Sequence, residues 1–182
     1  MLKLLKRYPC MENRHVYKMT VFVTVGSTKF DELIKAVCSS NILNLFQKQG
    51  YEKLLIQSGN GDIEPSLPNE DYKIKLESYK YKNSIAEDIK QASLVISHAG
   101  AGSILENLKA GKKLIVVIND CLLNNHQTEL ATAMADLGYL LYCTPNKLED
   151  VLIKIEDHET KNYPTPDYDA FPSFLNRLMG FN

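Results

Sequence analysis

Leu94-Val95-Ile96 is an apolar run that passes without a break into Ser97-His98-Ala99-Gly100-Ala101-Gly102-Ser103, after which Ile104-Leu105-Glu106 opens a segment of helical periodicity. The order is strand, small-residue loop, helix, which commits this part of the chain to a βα unit. The chemistry of such a loop follows from its bareness. Small side chains let backbone N–H groups come close to a ligand, and the positive end of the helix dipole favours an anion there. His98 and Ser103 supply donors suited to a phosphate, and Glu106, one turn further on, can accept from sugar hydroxyls. That combination points to a nucleotide, and more narrowly to a nucleotide-sugar.

The remaining sequence repeats the same alternation. Short apolar runs at 21–25, 53–57, 72–76, 94–97, 114–118 and 139–143 predict strands. Between and after them, helical spacing predicts helices from Phe30 to Val37 and over 41–49, 84–91, 103–110, 125–137 and 147–155. The unbroken β-branched run at 114–118 marks a strand buried on both faces. Strands alternating with helices specify an α/β fold: a Rossmann-like, doubly wound parallel sheet whose ligands belong at the carboxyl ends of the strands. The expected organisation is a flexible basic extension over 1–19, one nucleotide-sugar-binding domain over 20–156, and a tail over 157–182 that is extended and then forms a short apolar helix at 174–179.

Charge and cysteine usage narrow the classes. A net charge of −1 gives no support to nucleic-acid binding. It hides an asymmetry: residues 1–20 carry five basic side chains (Lys3, Lys6, Arg7, Arg14, Lys18) against Glu12, which leaves 16 basic and 21 acidic groups for the rest. The leader's longest apolar run, Leu4-Leu5, is far too short for a secretory signal, and no run approaches the roughly 20 residues of a membrane span. Cys10, Cys38, Cys121 and Cys143 show no CxxC pair and no metal-ligand spacing, which favours a reducing, cytoplasmic setting with neither metal nor cofactor.

Three loops gather at the predicted ligand edge: Gly26-Ser27-Thr28, the 97–103 loop, and 119–127. The second and third have plainer readings. Ser103-x-x-Glu106 fits a capping box, with Ser103 capping the helix and Glu106 reaching back. Gly100-x-Gly102 with Asp120 downstream begins a dinucleotide fingerprint, although Leu105 stands at the third glycine position. Asn124 or Asn125 can serve only as an N-cap, whereas His126 and Gln127 add neutral groups suited to hydroxyls and an acetamido group.

The pattern His98-x-Gly100-x-x-Ser103-x-x-Glu106, followed by a strand and a polar pair ending in Gln127, resembles the donor-binding signature of GT-B glycosyltransferases. More closely, the stretches 22–28, 93–103 and 114–127 resemble the UDP-GlcNAc-binding subunits of the two-subunit N-acetylglucosaminyltransferase of asparagine-linked glycosylation. These are similar in turn to the C-terminal half of bacterial MurG, in glycosyltransferase family 28. The resemblance runs from about residue 19 to 145. It implies the C-terminal, donor-binding half of a GT-B enzyme, with His98, Gly100, Ala101, Gly102 and Ser103 on the diphosphate and Gly26 and Thr28 facing it. It implies Glu106 on the ribose, Asn125, His126 and Gln127 on the GlcNAc, and the uracil near Tyr81 or Lys82. His98 is also the tentative catalytic group.

The reaction so implied is inverting transfer of GlcNAc from UDP-GlcNAc to GlcNAc-diphosphodolichol. The acceptor is reached through a membrane-anchored, acceptor-binding partner that holds this subunit on the cytosolic face of the endoplasmic reticulum. One departure is local: Gly59-Asn60-Gly61 stands where relatives often carry Gly-Arg. A nicotinamide-dependent oxidoreductase, a sugar epimerase and a non-catalytic nucleotide-sugar sensor are the alternatives from other classes.

Overall fold

The computed structural model describes residues 19–119, 125–164 and 179, and of residues 125–127 the helical backbone alone. Six strands form one parallel sheet: β1 (Thr20–Thr24), β2 (Lys53–Gln57), β3 (Lys75–Tyr79), β4 (Leu94–His98), β5 (Lys113–Val117) and β6 (Leu141–Cys143). Their order is β3-β2-β1-β4-β5-β6. The chain steps outward from β1 to β3, returns to place β4 beside β1, and steps outward the other way. Between β1 and β4 the winding reverses, which is the point at which doubly wound sheets bind their ligands.

Period-two alternation along the strands supplies two cores. Val21, Val23, Leu54, Ile56, Leu94, Ile96, Ile115 and Val117 face one side, where they meet α1 (Asp31–Val37), α2 (Ser40–Lys48) and α6 (Leu148–Ile155). Phe22, Leu55, Val95, Leu114 and Val116 face the other, against α3 (Ala86–Gln91), α4 (Ala101–Lys109) and α5 (Asn125–Asp136). Right-handed crossovers taken in opposite directions require that division of helices between faces. Both faces of the central strands are sealed, which is why their sequences read as unbroken apolar runs.

Four predicted elements shift by two or three residues, one being the helix expected at 84–91, which begins at Ala86. The strand expected at 72–76 forms at Lys75–Tyr79, because its register is dictated by β2: Lys53 pairs with Lys75 and Gln57 with Tyr79. Ile74, buried, belongs to the core but precedes the ladder. β6 begins at Leu141, not at 139, since the Tyr139 amide still closes the end of α5 by donating to the Met134 carbonyl at 3.0 Å. α4 begins at Ala101, two residues before the expected start. The helix expected at 174–179 lies outside the described residues apart from Met179, which is exposed.

At the outer edge Glu77 of β3 pairs with Lys53 and Lys75, both at 2.7 Å, and these two lysines hold its carboxyl down at about 2. Beyond α6, residues 157–164 carry no helix or strand and cross to the opposite layer. There the Lys161 amide donates to the Gly138 carbonyl at 2.9 Å, and Tyr163 packs edge-on against Tyr139 with centroids 5.3 Å apart.

The loops leaving β1, β2 and β3 are woven together. The Gly59 amide donates to the Lys80 carbonyl at 3.0 Å, and Asn60 donates through its backbone to Thr28 O at 3.1 Å and through its side chain to Ser27 O at 2.8 Å. Gly59 sits at φ +58°, and a Cβ there would lie 2.4 Å from Thr28 O and 2.8 Å from Gly26 O. Only a residue without a side chain fits. Gly59→Ala is expected to cost about 2–3 kcal/mol through strain and overpacking. In urea unfolding this shows as a lower midpoint at unchanged slope; an unaltered midpoint would contradict the close packing.

Candidate functional site at the carboxyl end of the sheet

Register brings the first two glycine-bearing loops together. Thr24 of β1 lies beside Ser97 of β4, so the chain leaves both strands at the same height, into Gly26-Ser27-Thr28 and Ala99-Gly100. The imidazole of His98 fills the space between them. A Cβ on Gly26 would come 2.9 Å from its Cε1, and one on Gly100 2.4 Å from its Nε2. Gly26 itself is at φ +62°. The two glycines therefore serve as the walls of a slot for one ring.

His98 is half-buried, and that burial lowers its pKa below the ordinary imidazole value, with the Thr24 backbone acting weakly the other way. The ring is neutral at pH 7. Its buried Nδ1 lacks a hydrogen bond of good geometry among the described residues. Thr28 is exposed, and its hydroxyl proton goes to the Val25 carbonyl at 2.7 Å, so toward a ligand Thr28 offers lone pairs and not a proton.

The early start of α4 decides the character of the second loop. Gly100 is the N-cap residue, in extended conformation, and no side chain caps the helix. Ser103 is thus the third residue of the first turn, and Glu106 lies in the second; the capping box, the plainer reading of Ser103 and Glu106, does not form. The first-turn amides of Ala101, Gly102 and Ser103 keep the unsatisfied, positively polarised state of a bare helix start. Ala101 and Gly102 are exposed, with nothing within 4 Å of a Cβ on Gly102. The Glu106 side chain is exposed and has no ion pair or hydrogen bond among the described residues. A free carboxylate above a bare helix start suits a ligand with an anionic group and hydroxyls one turn apart.

The cations at this rim are engaged. Lys29 pairs with Asp62 and Asp31, the Lys80 ammonium donates to the Gly61 carbonyl at 2.7 Å, and Lys82 donates to both oxygens of Asp88 at 2.9 Å. Lys82 also lies 4.1 Å over the ring of Tyr79, whose hydroxyl donates to Asp88 at 2.5 Å. Sequence reading singled out Lys82 but missed Tyr79 and Asp88. The signal was an aromatic residue ending a strand, with an acid in the first turn of the next helix. Neighbouring Tyr81 is 64% exposed, a ring with open faces on a braced loop.

The third loop is described in part. Residues 120–124 lie outside the described residues, Asp120 among them. Asn125, His126 and Gln127 occupy the first turn of α5, which follows β5, and α5 packs beside α4. The elements carrying the predicted site residues therefore share one edge, from the end of β3 to the start of α5. Among the described residues no three His, Cys, Asp or Glu side chains converge to hold a metal ion. A groove of about 240 Å³ lies elsewhere, between α1 and the 63–68 segment, lined by Ile34, Cys38, Ile63 and Pro65.

Comparison with known proteins places this arrangement. Residues 20–178 match the family model described as Glycosyltransferase family 28 C-terminal domain. The UDP-N-acetylglucosamine transferase subunit ALG13 of Homo sapiens is 51% identical over 124 residues, 68% of this chain and 11% of that protein. The protein of the same name from Candida glabrata is 34% identical over 164 residues, 72% of this chain and 83% of the relative. The chain thus spans only 11% and 10% of the length of its human and mouse relatives. Among solved structures, the NMR solution structure of ALG13 is similar at TM-score 0.64 and 27% identity, over 88% of this chain and 95% of that one. MurG of Acinetobacter baumannii shares the fold at TM-score 0.59 and 18% identity, over 91% of this chain and 44% of MurG. With the sheet order, the bare helix start and the family match in agreement, the chain belongs to the glycosyltransferase family 28 C-terminal domain family.

Proposed function

We propose that this chain binds UDP-GlcNAc and presents it for transfer of GlcNAc to an acceptor held by a partner subunit. The observation that carries the reading is the uncapped start of α4 beside a neutral histidine, with the Glu106 carboxylate, unpaired among the described residues, one turn above. The diphosphate lies on the amides of Gly100, Ala101, Gly102 and Ser103, His98 stands against it, and Gly26 and Thr28 close the far side. Glu106 accepts from the ribose hydroxyls. From the end of β3 to the end of β5 there are four inter-strand steps, about 19 Å at 4.8 Å each. The uracil occupies the Tyr81 and Lys82 end, and GlcNAc the end at Asn125, His126 and Gln127.

In the reaction, a hydroxyl oxygen of the acceptor sugar bonds to the anomeric carbon as the bond to UDP breaks, and the configuration inverts. The charge that develops on the departing diphosphate is met by backbone dipoles already aimed at it. His98 is neutral and so able to take a proton, but its slot between two glycines suits it to holding phosphate; the base that deprotonates the acceptor is assigned to the partner. The printed name "subunit" of the relatives supports such a partner. The acceptor is GlcNAc-diphosphodolichol, and the partner is membrane-anchored, at the cytosolic face of the endoplasmic reticulum. No helix among the described residues is long and apolar enough to cross a membrane.

Three outcomes test this reading. Glu106→Ala lowers UDP affinity by about 10- to 100-fold in calorimetry, the worth of hydrogen bonds to a charged group; unchanged affinity would remove the ribose contact. The purified chain alone transfers no GlcNAc in a radiolabel assay, and turnover by it would overturn the divided site. The third is a pH dependence with a definite sign. An esterified diphosphate does not titrate near neutrality, whereas its charge raises the His98 pKa on binding. Affinity for UDP-GlcNAc should therefore rise about three- to tenfold between pH 7.5 and 5.5, and His98→Gln should flatten that slope. Without ligand the sign is opposite: stability from the buried neutral ring is present above the ordinary value of 6.5 and is lost as pH falls through the lowered one.

A further inference from the structure

β1 is apolar at Val21, Phe22 and Val23, and buried Val25 follows it, yet the strand ends on Thr24 at the position that meets the proposed ligand edge. Thr24 is 0% exposed, and its register partner on β2, Gln57, is 2% exposed. The Thr24 hydroxyl donates to Gln57 Oε1 at 2.5 Å, which leaves its lone pairs to accept the Gly26 amide at 3.1 Å. The hydroxyl has one proton, so the relay has one direction: Gly26 N–H to Thr24, Thr24 O–H to Gln57. Its far end is the glycine whose Cα abuts the His98 ring. Gly59 presses on the same glycine from behind, 2.8 Å from Gly26 O for a Cβ placed there.

We propose that Thr24 and Gln57 are positioning residues of the donor site, holding Gly26 in its left-handed turn so that the His98 ring is kept in its slot against the start of α4. The role rests on the reading of this edge as a UDP site, but the restraint on His98 exists without ligand. Burying a hydroxyl and a carboxamide in an apolar sheet carries no gain for stability over an apolar pair of the same shape. What the polar pair adds is direction, since a hydrogen bond fixes an amide where a methyl contact does not.

The experiment uses the full chain and two readouts: UDP affinity by calorimetry, and titration of the His98 ring in ligand-free protein by NMR. Thr24→Val keeps the shape and removes both bonds; it should weaken UDP binding about five- to twentyfold and move the His98 titration upward toward the ordinary value as the ring gains water. Thr24→Ser, which keeps the hydroxyl, should restore both readouts. Gln57→Leu removes only the terminal acceptor, and because the two residues act through one relay, the Thr24→Val/Gln57→Leu pair should lose no more than Thr24→Val alone. If Thr24→Val does not fold, Gln57→Leu carries the same two measurements. Variants that lower the unfolding midpoint while leaving both UDP affinity and the His98 titration unchanged would overturn the proposal, as would additive losses. Absence of UDP binding by the wild-type chain would instead sink the functional reading, and the ligand-free His98 titration would still decide the relay.

Discussion

The pairing of β1 with β4 is the constraint from which the site follows. These strands are far apart in sequence, and their register sets Thr24 beside Ser97, so that the turns beyond them meet across a single imidazole. Sliding one strand by a residue would turn Val23 and Ile96 out of their core and carry His98 away from Gly26. The same burial that stabilises the central sheet therefore sets the geometry of the ligand edge. Site and core are not separable in this fold: the apolar rows of the strands act as the ruler against which the loops are placed.

On the proposed reading of this edge as a UDP site, the cations of its rim among the described residues are already engaged. Lys29 ties the turn after β1 to that after β2, Lys80 ties the turn after β3 to that after β2, and Lys82 is held by Asp88 of α3. What is left for a diphosphate is polarised backbone at the start of α4 and a ring that burial keeps neutral. Such a site grips less strongly than one with an ammonium or guanidinium group in contact, and it lets go more readily. Under the proposed function, in which the nucleotide diphosphate is released after transfer, a weak hold is an asset.

The sequence disclosed the parts of this design that burial governs. β2 was legible to the residue and β1, β4 and β5 to within one, because double-sided burial makes each an apolar run with defined ends. The parallel, doubly wound character of the sheet followed from alternation alone. β3 was misplaced by three residues because its position is decided by pairing with β2, which local alternation at 72–76 does not report. The start of α4 was missed because Ala101 and Gly102 bury nothing and so leave no periodic trace. Thr24 and Gln57 were placed in their strands, but a polar residue at a strand end carries no sign of burial, and only the fold shows that both are sealed inside.

The outermost strand carries a consequence of its own. Among the described residues β3 has no neighbour on one side, and a bare ladder is an invitation for a second molecule to add a strand. Lys75, Glu77 and Lys53 lay alternating charge along that border, and with the Glu77 carboxyl held at about 2 the pattern persists under acid conditions that discharge ordinary carboxylates. The border thus keeps its guard against self-association through the mildly acidic range in which many proteins begin to clump.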